Sequence, residues 1–264
     1  MDDLLESIDS RGVATLTLNR PDRRNAFDEA LIEHMTDALC RLDARSDVRV
    51  VVLTGNGPSF SAGADIEWMK RMAGATPEKN EADAAKFAKL LRALDRLSKP
   101  TIALVHGAAY GGGVGLIACC DIVIASEHAS FCLSEVRLGV IPAVIGPFVI
   151  RSIGARQARR FVLTAEVISA GQALDIGLVH EAAPDQNLPA ARDRVIEALL
   201  NGAPGAQAEA KALMFLCCGR SIDDELMREA ARRLAARRAS PEGREGLNAF
   251  LEKRSPAWRA DRTE

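Results

Sequence analysis

Two small-residue turns are the places in this 264-residue chain where chemistry could be done at the backbone. The stretch AAYGGGVGL, residues 108–116, follows an apolar run, TIALVHG, and leads into a short helical pattern, GVGLIACC. Three consecutive glycines at such a junction imply that something approaches the main chain closely. A second turn, within SFSAGADIEWM (59–69), also opens a helix. Helix starts of this kind leave backbone N–H groups free, where negative charge is favoured. Two of them facing each other across a sheet would offer two donors to one oxygen. That is an oxyanion hole, which acts on charge that appears only during reaction.

Other uses of the glycine run fit less well. Gly113, Gly115 and Ala118 satisfy the relaxed G-x-G-x-x-G/A dinucleotide fingerprint, and Glu135 lies 20 residues past Gly115. That fingerprint belongs in a first strand–helix turn, with its acid closing the next strand. Here the next strand pattern, DIVIAS, ends well before Glu135. No Gly-Lys-Ser/Thr follows the glycines, so the Walker-type phosphate loop fails. Close helix–strand packing without any ligand stays open.

The elements that must hold these turns read as follows. Alternation in VATLTLN (13–19) predicts a strand stopped by Arg20–Pro21, and the β-branched run VRVVVLTG (48–55) predicts one buried on both faces. TIALVHG and DIVIAS are further strands. Between them, 28–47 puts Leu31, Met35, Leu39 and Leu42 on one helical stripe, and 81–99 is a second long amphipathic helix closed before Pro100. Strands alternating with helices argue for an α/β architecture with parallel strands. After about residue 185 only helical patterns remain, the last one starting at Ser240 with Pro241 in its first position.

Composition narrows the class. With 48% hydrophobic and 27% charged residues the chain can build a sizeable core. A net charge of −2 gives no reason to expect nucleic acid or an anionic membrane. No apolar run reaches the roughly 20 residues that cross a bilayer, and the start, MDDLLESIDS, does not look like a signal peptide. The six cysteines, Cys40, Cys119, Cys120, Cys132, Cys217 and Cys218, contain no CxxC spacing, and the four histidines form no constellation with them. Buried thiols in a reducing cytoplasm are expected, and no metal.

With these motifs placed, the chain resembles the enoyl-CoA hydratase/isomerase (crotonase) superfamily. The resemblance covers nearly the whole chain, through TLNRPDRRNAF, SFSAGADI, HGAAYGGGVGL, CDIVIA, LSEVRLGVIP and AFLEKR in that order. It implies a crotonase-like spiral of ββα units over residues 1–185, holding CoA and the active site. A C-terminal all-helical trimerisation region over 186–264 follows, in a homotrimer or a dimer of trimers. The implied substrate is an acyl-CoA thioester, with coenzyme A part of the substrate and no separate cofactor.

Carried over by position, the resemblance makes the backbone N–H groups of Ala64 and Gly112 the oxyanion donors and Glu135 the acid/base. A side chain at Gly112 is expected to crowd the thioester oxygen. CoA would lie along Ala26, Ala62, Ala64, Asp65, Ile66 and Tyr110, with Arg23 and Arg24 beside its nucleotide. Phe250 and Lys253 would reach CoA from a neighbouring subunit. Hydratases of the family use two glutamates; here the first of those positions is Gly115. One carboxylate can still serve water as base and Cα as acid, and one is all that a Δ3 to Δ2 double-bond shift requires. Trp68, Met69, Met72, Val144, Ile145 and Phe148 would line an acyl pocket or belong to the core, while Asp121 reads as structural.

GAAYGGGVGL and FCLSEVRLGVIPAVI are similar to bacterial methylglutaconyl-CoA hydratases and their isohexenylglutaconyl-CoA relatives. Such substrates carry a distal carboxylate, for which Lys70, Arg71 and Arg137 are the candidate partners. A hydratase is therefore the first expectation and an enoyl-CoA isomerase the second. RNA binding would call for a lysine-rich early helix, whereas residues 28–47 carry more acids than bases. A CoA-binding protein without catalysis sits poorly with Glu135.

Overall fold

The computed structural model describes residues 2–260. Its frame is a six-stranded sheet. In chain order the first elements are β1 (Leu4–Ile8), β2 (Val13–Leu18), α1 (Glu29–Ala44), β3 (Val50–Gly55), α2 (Ile66–Ala73) and α3 (Pro77–Asp95). Then come β4 (Thr101–Val105), β5 (Ala108–Tyr110), α4 (Gly112–Cys119), β6 (Ile122–Ser126), β7 (Ser130–Cys132) and α5 (Gly146–Thr164). The chain continues through β8 (Ile168–Ser169), α6 (Ala170–Asp175) and β9 (Glu181–Ala183). The described residues after that are helical or irregular: α7 (Leu188–Asn201), α8 (Pro204–Cys217), α9 (Asp224–Ala239), α10 (Pro241–Leu251) and α11 (Ala257–Ala260).

The large sheet runs β1-β2-β3-β4-β6-β9, and β5-β7-β8 form a small second sheet. From β2 to β9 the large sheet is parallel, as the alternation of strands and helices predicts. Its edge strand β1 pairs antiparallel with β2, Leu4 opposite Leu18. β1 escapes the sequence pattern because its residues do not alternate between core and solvent; only its two ends are half-buried. The strands of the second sheet, at two or three residues each, are too short to show any period.

The central strands are apolar throughout because both faces are covered. On one face α1, α3, α4 and α5 build the main core, and the stripe Leu31, Met35, Leu39 and Leu42 is fully buried there. On the other face Val50, Val52, Ile102 and Ile124 meet Leu188, Ala191, Ile196 and Leu200 of α7. The first of the C-terminal helices is thus packed on the sheet itself. The next is tied to it by Lys211, whose Nζ donates to Asp121 at 2.7 Å. Asp121 in turn accepts from the Thr101 N–H and hydroxyl, the structural role expected for it.

Two helices have sequence-legible starts. Asp28 accepts the Leu31 N–H at 3.0 Å, and Ser240 accepts the Gly243 N–H at 3.0 Å ahead of Pro241. α3 starts earlier than its apolar period suggests, at Pro77 behind the cap Thr76, because its first turn is polar all round. α5 is broken at Gly154, whose φ of 75° and ψ of 155° suit glycine alone.

Candidate functional site

The two small-residue turns meet. Ser61 donates its N–H to the Ala108 carbonyl at 3.0 Å and its own carbonyl accepts the Tyr110 N–H at 2.9 Å, so the loop after β3 is stitched along β5. A Cβ on Gly63, where φ is +92°, would lie 3.0 Å from the Tyr110 carbonyl oxygen and 3.8 Å from Gly112 N. The approach therefore requires glycine at that position.

Ala64 gains its free N–H from this pairing. Gly63 O accepts the Phe27 N–H and the Asp65 N–H donates to Phe27 O, at 2.7 and 2.8 Å. Successive groups in an extended segment alternate sides. Residues 63 and 65 use the Phe27 side, and Ala64 is left pointing the other way. Its N–H has no hydrogen-bond partner among the described residues, and neither has that of Gly112 in the first turn of α4. Two unpaired main-chain donors on facing turns are what an oxyanion hole needs.

Asp65 anchors the turn that carries Ala64. It accepts from Glu67 N–H and Trp68 N–H to cap α2, and from Arg23 at 3.0 Å and the buried Arg20 at 3.4 Å. Burial pushes its carboxyl up, but the Trp68, Arg23 and Glu67 bonds outweigh this and hold it below the usual aspartate value. Arg20 also pairs with Asp28 at 2.8 Å. Asn25, fully buried, bridges the Arg20 N–H to the Asn56 and Ser59 carbonyls. Arg20 and Asn25, not singled out by the sequence, are the structural anchors of TLNRPDRRNAF; a polar pair flanking Pro21 is the signal the sequence offers.

Glu135 stands across from this pair of turns, at the start of a short 3-10 turn over Glu135–Leu138. A Cβ on Gly111 would lie 3.2 Å from its Oε1, and Gly111 has φ 49° and ψ −117°, a conformation only glycine holds easily. Its Oε2 is buried without a partner. Burial raises its carboxyl above the ordinary glutamate value, opposed only by its own backbone N–H. A half-buried carboxyl raised above its ordinary value, beside two free N–H groups, is a group that can take up a proton and return it.

The remaining candidates fall into distinct places. Gly112 is also closed in by rings: a Cβ there would lie 2.9 Å from Phe87 and 3.2 Å from Phe27. Tyr110 is half-buried with its hydroxyl 3.4 Å from Ser130 Oγ. Ala26 is buried and its carbonyl accepts from Arg20, while Ala62 donates its N–H to the Arg24 carbonyl. Ile66 is exposed, as is Arg24, which makes no ion pair among the described residues. Phe250 and Lys253 are exposed at the end of α10. Trp68 and Ile145 belong to the main core, with Met72, Val144 and Phe148 packed against it.

Gly115 is where the sequence lacks a carboxylate, and the structure fills that room. A Cβ on Gly115 would overlap Ile145 Cγ2 and sit 2.9 Å from Ile145 Cβ. A separate cavity of about 550 Å³ lies at the far end of α4, against Cys119, Arg151, His180, Lys211 and Phe215. Its charges are already paired, Arg151 with Asp95 and Lys211 with Asp121. Among the described residues no three His, Cys, Asp or Glu side chains are grouped to hold a metal, and no helix is long and apolar enough to cross a membrane.

The sequence model of a family described as enoyl-CoA hydratase/isomerase matches residues 9–261. The chain is 35% identical over 263 residues to the 2,3-dehydroadipyl-CoA hydratase of Escherichia coli K12, covering 98% of this chain and 99% of that one. An enoyl-CoA hydratase structure from Shewanella pealeana superposes with a TM-score of 0.95 at 46% identity, over 97% of this chain and 96% of the other. AtuE of Pseudomonas aeruginosa gives 0.93 at 38% identity, over 97% and 99%.

Proposed function

The chain belongs to the enoyl-CoA hydratase/isomerase family and has its crotonase-like fold, and from that premise we propose that it is a hydratase adding water across the double bond of an α,β-unsaturated acyl-CoA thioester. The thioester oxygen accepts from the Ala64 and Gly112 N–H groups, which stabilise the enolate as it forms. Glu135 takes a proton from water as the oxygen bonds to Cβ, then returns that proton to Cα. No charge is left over, and one carboxyl serves both transfers. The observation that carries this reading is Glu135 itself, its Oε2 buried without a partner and its carboxyl raised by burial beside Gly111.

The CoA moiety runs past Ala26, Ala62, Asp65, Ile66 and Tyr110, with Arg23 and Arg24 at its nucleotide and Phe250 and Lys253 supplied by a neighbouring copy in a homotrimer or a dimer of trimers. Arg24 supports this by being an exposed cation without an acid among the described residues, whereas Arg23 must share itself with Asp65. The exposed apolar side chains of α8 to α10 support the assembly. Six unpaired thiols suit a reducing cytoplasm. For the acyl group we favour one with a distal carboxylate, of the methylglutaconyl type. Lys70 is paired with Glu67 and Arg71 with Glu29, but Arg137, on the Glu135 turn, has no acid among the described residues.

A Δ3,Δ2-enoyl-CoA isomerase is the second reading, favoured by the single carboxyl that Gly115 leaves. Mass spectrometry after incubation with crotonyl-CoA, 3-methylglutaconyl-CoA and a Δ3-enoyl-CoA separates the two. A product heavier by one water is expected; a Δ2 product of unchanged mass from the Δ3 substrate alone would replace hydratase with isomerase. Glu135→Gln is expected to lose at least ~100-fold in turnover while CoA binding persists. Full activity in that variant would remove Glu135 from the chemistry.

A further inference from the structure

We propose that Ile145 is a positioning residue for this reaction, an inference that rests on the reading of Glu135 just given: packed on Gly115, it keeps water and any second charge off the α4 wall beside the acid/base.

Gly111 and Gly115 are joined by a hydrogen bond from Gly115 N–H to Gly111 O at 3.2 Å, four residues apart, about 6 Å along the helix direction. Glu135 abuts the first and Ile145 the second, so the two contacts lie four residues apart on one short stretch of chain. Ile145 is 2% exposed and is held at the start of α5, where its carbonyl accepts the Phe148 and Val149 N–H groups, both at 3.1 Å. Leu91 of α3 closes the same spot, 3.7 Å from where a Gly115 Cβ would be. Any side chain at 115 would enter room that Ile145 and Leu91 already fill.

The consequence is chemical. Between Gly112 and Ala118, α4 offers Glu135 no titratable side chain, and neither does the first turn of α5. The charged or titratable groups shown near it among the described residues are Arg137 on its own turn and Cys132 of β7, which feels both. The Cys132 thiol is pushed up by burial. An apolar wall in place of a second acid leaves Glu135 as the one proton carrier and withholds the water that would solvate its charge.

The test needs no turnover. Infrared difference spectroscopy follows ionisation of the Glu135 carboxyl, its band assigned with Glu135→Gln, in wild type, Ile145→Ala and Ile145→Val. Removing the side chain is expected to lower the pH of ionisation, Ala more than Val, and either substitution suffices if the other fails to fold. In parallel, Gly115→Glu is expected to lower Tm by at least about 3 °C through overpacking, and Ile145→Ala added to it to recover part of that loss. An unmoved Glu135 midpoint in a folded Ile145 variant would overturn the proposal, as would a Gly115→Glu chain as stable as wild type. A wild type that neither hydrates nor isomerises would instead sink the functional reading and leave both of these measurements standing.

Discussion

Glu135 and Asp65 are both carboxylates set into the protein beside the free N–H pair, and their surroundings drive them in opposite directions. Asp65 has Trp68 and Glu67 N–H groups and Arg23 on it and stays ionised. Glu135 has burial and its own N–H alone. The sign of the stability effect follows from each. The raised carboxyl of Glu135 means the native chain holds that proton more tightly than the unfolded one. Ionising it therefore weakens the fold as pH climbs from the unfolded value through the native one. Asp65, lowered, strengthens the fold above its unfolded value and loses that contribution as pH falls through its native one. Glu135→Gln should accordingly melt higher than wild type at pH 7, and the difference should vanish below about pH 4, where both forms are neutral. Calorimetry at the two pH values checks this. A variant that melts lower at pH 7 would mean that the carboxylate has a stabilising partner.

At the scale of the elements, the proposed oxyanion hole depends on how α2 begins. Ala64 is free because its two neighbours pair with Phe27, and the chain leaves that pairing straight into the Asp65 cap. Asp65→Ala removes the cap and one acid from Arg20, which keeps Asp28 and the Ala26 carbonyl. A loss of about 1–3 kcal/mol is expected on urea denaturation, from the cap and the weakened buried pair together. Turnover should fall with it, because the loop carrying the Ala64 N–H is no longer held; unchanged turnover at lowered stability would detach the cap from the hole. Asp65→Asn, which can still cap but carries no charge, should fall between the two. Gly111 works in the same way from the other turn, its backbone conformation bringing α4 up to Glu135.

Across the whole molecule large apolar side chains stay exposed in two regions. The Glu135 turn, the loop after it and α5 leave Leu138, Ile141 and Leu163 exposed, and α8, α10 and the loop before α9 leave Met214, Leu247, Phe250, Leu251 and Ile222 at 53–82% exposure. Apolar surface of this extent, next to the proposed CoA contacts, is better explained by a covering neighbour than by solvent. Sedimentation should therefore give three or six copies of the 28.3 kDa chain. Phe250→Asp combined with Leu251→Asp should lower that mass and weaken CoA binding together. A wild-type chain sedimenting as one copy would rule out the shared site.

The sequence by itself determined the family, the parallel α/β class, the two small-residue turns and the absence of a carboxylate at 115. These are local facts: an apolar period, a cap such as Ser240 before Pro241, a glycine where a turn must open. It could not show β1, whose exposed residues become a strand only by pairing with β2, or the two- and three-residue strands of the small sheet. Nor could it show that Asp65 turns inward onto Arg20 and Arg23, or that the room at Gly115 belongs to Ile145, 30 residues further along the chain. Such contacts depend on how separate elements pack, and no spacing along one element encodes them. Tertiary structure therefore decided the surroundings of Glu135, whose carboxyl burial raises, and which side chain fills the room at Gly115.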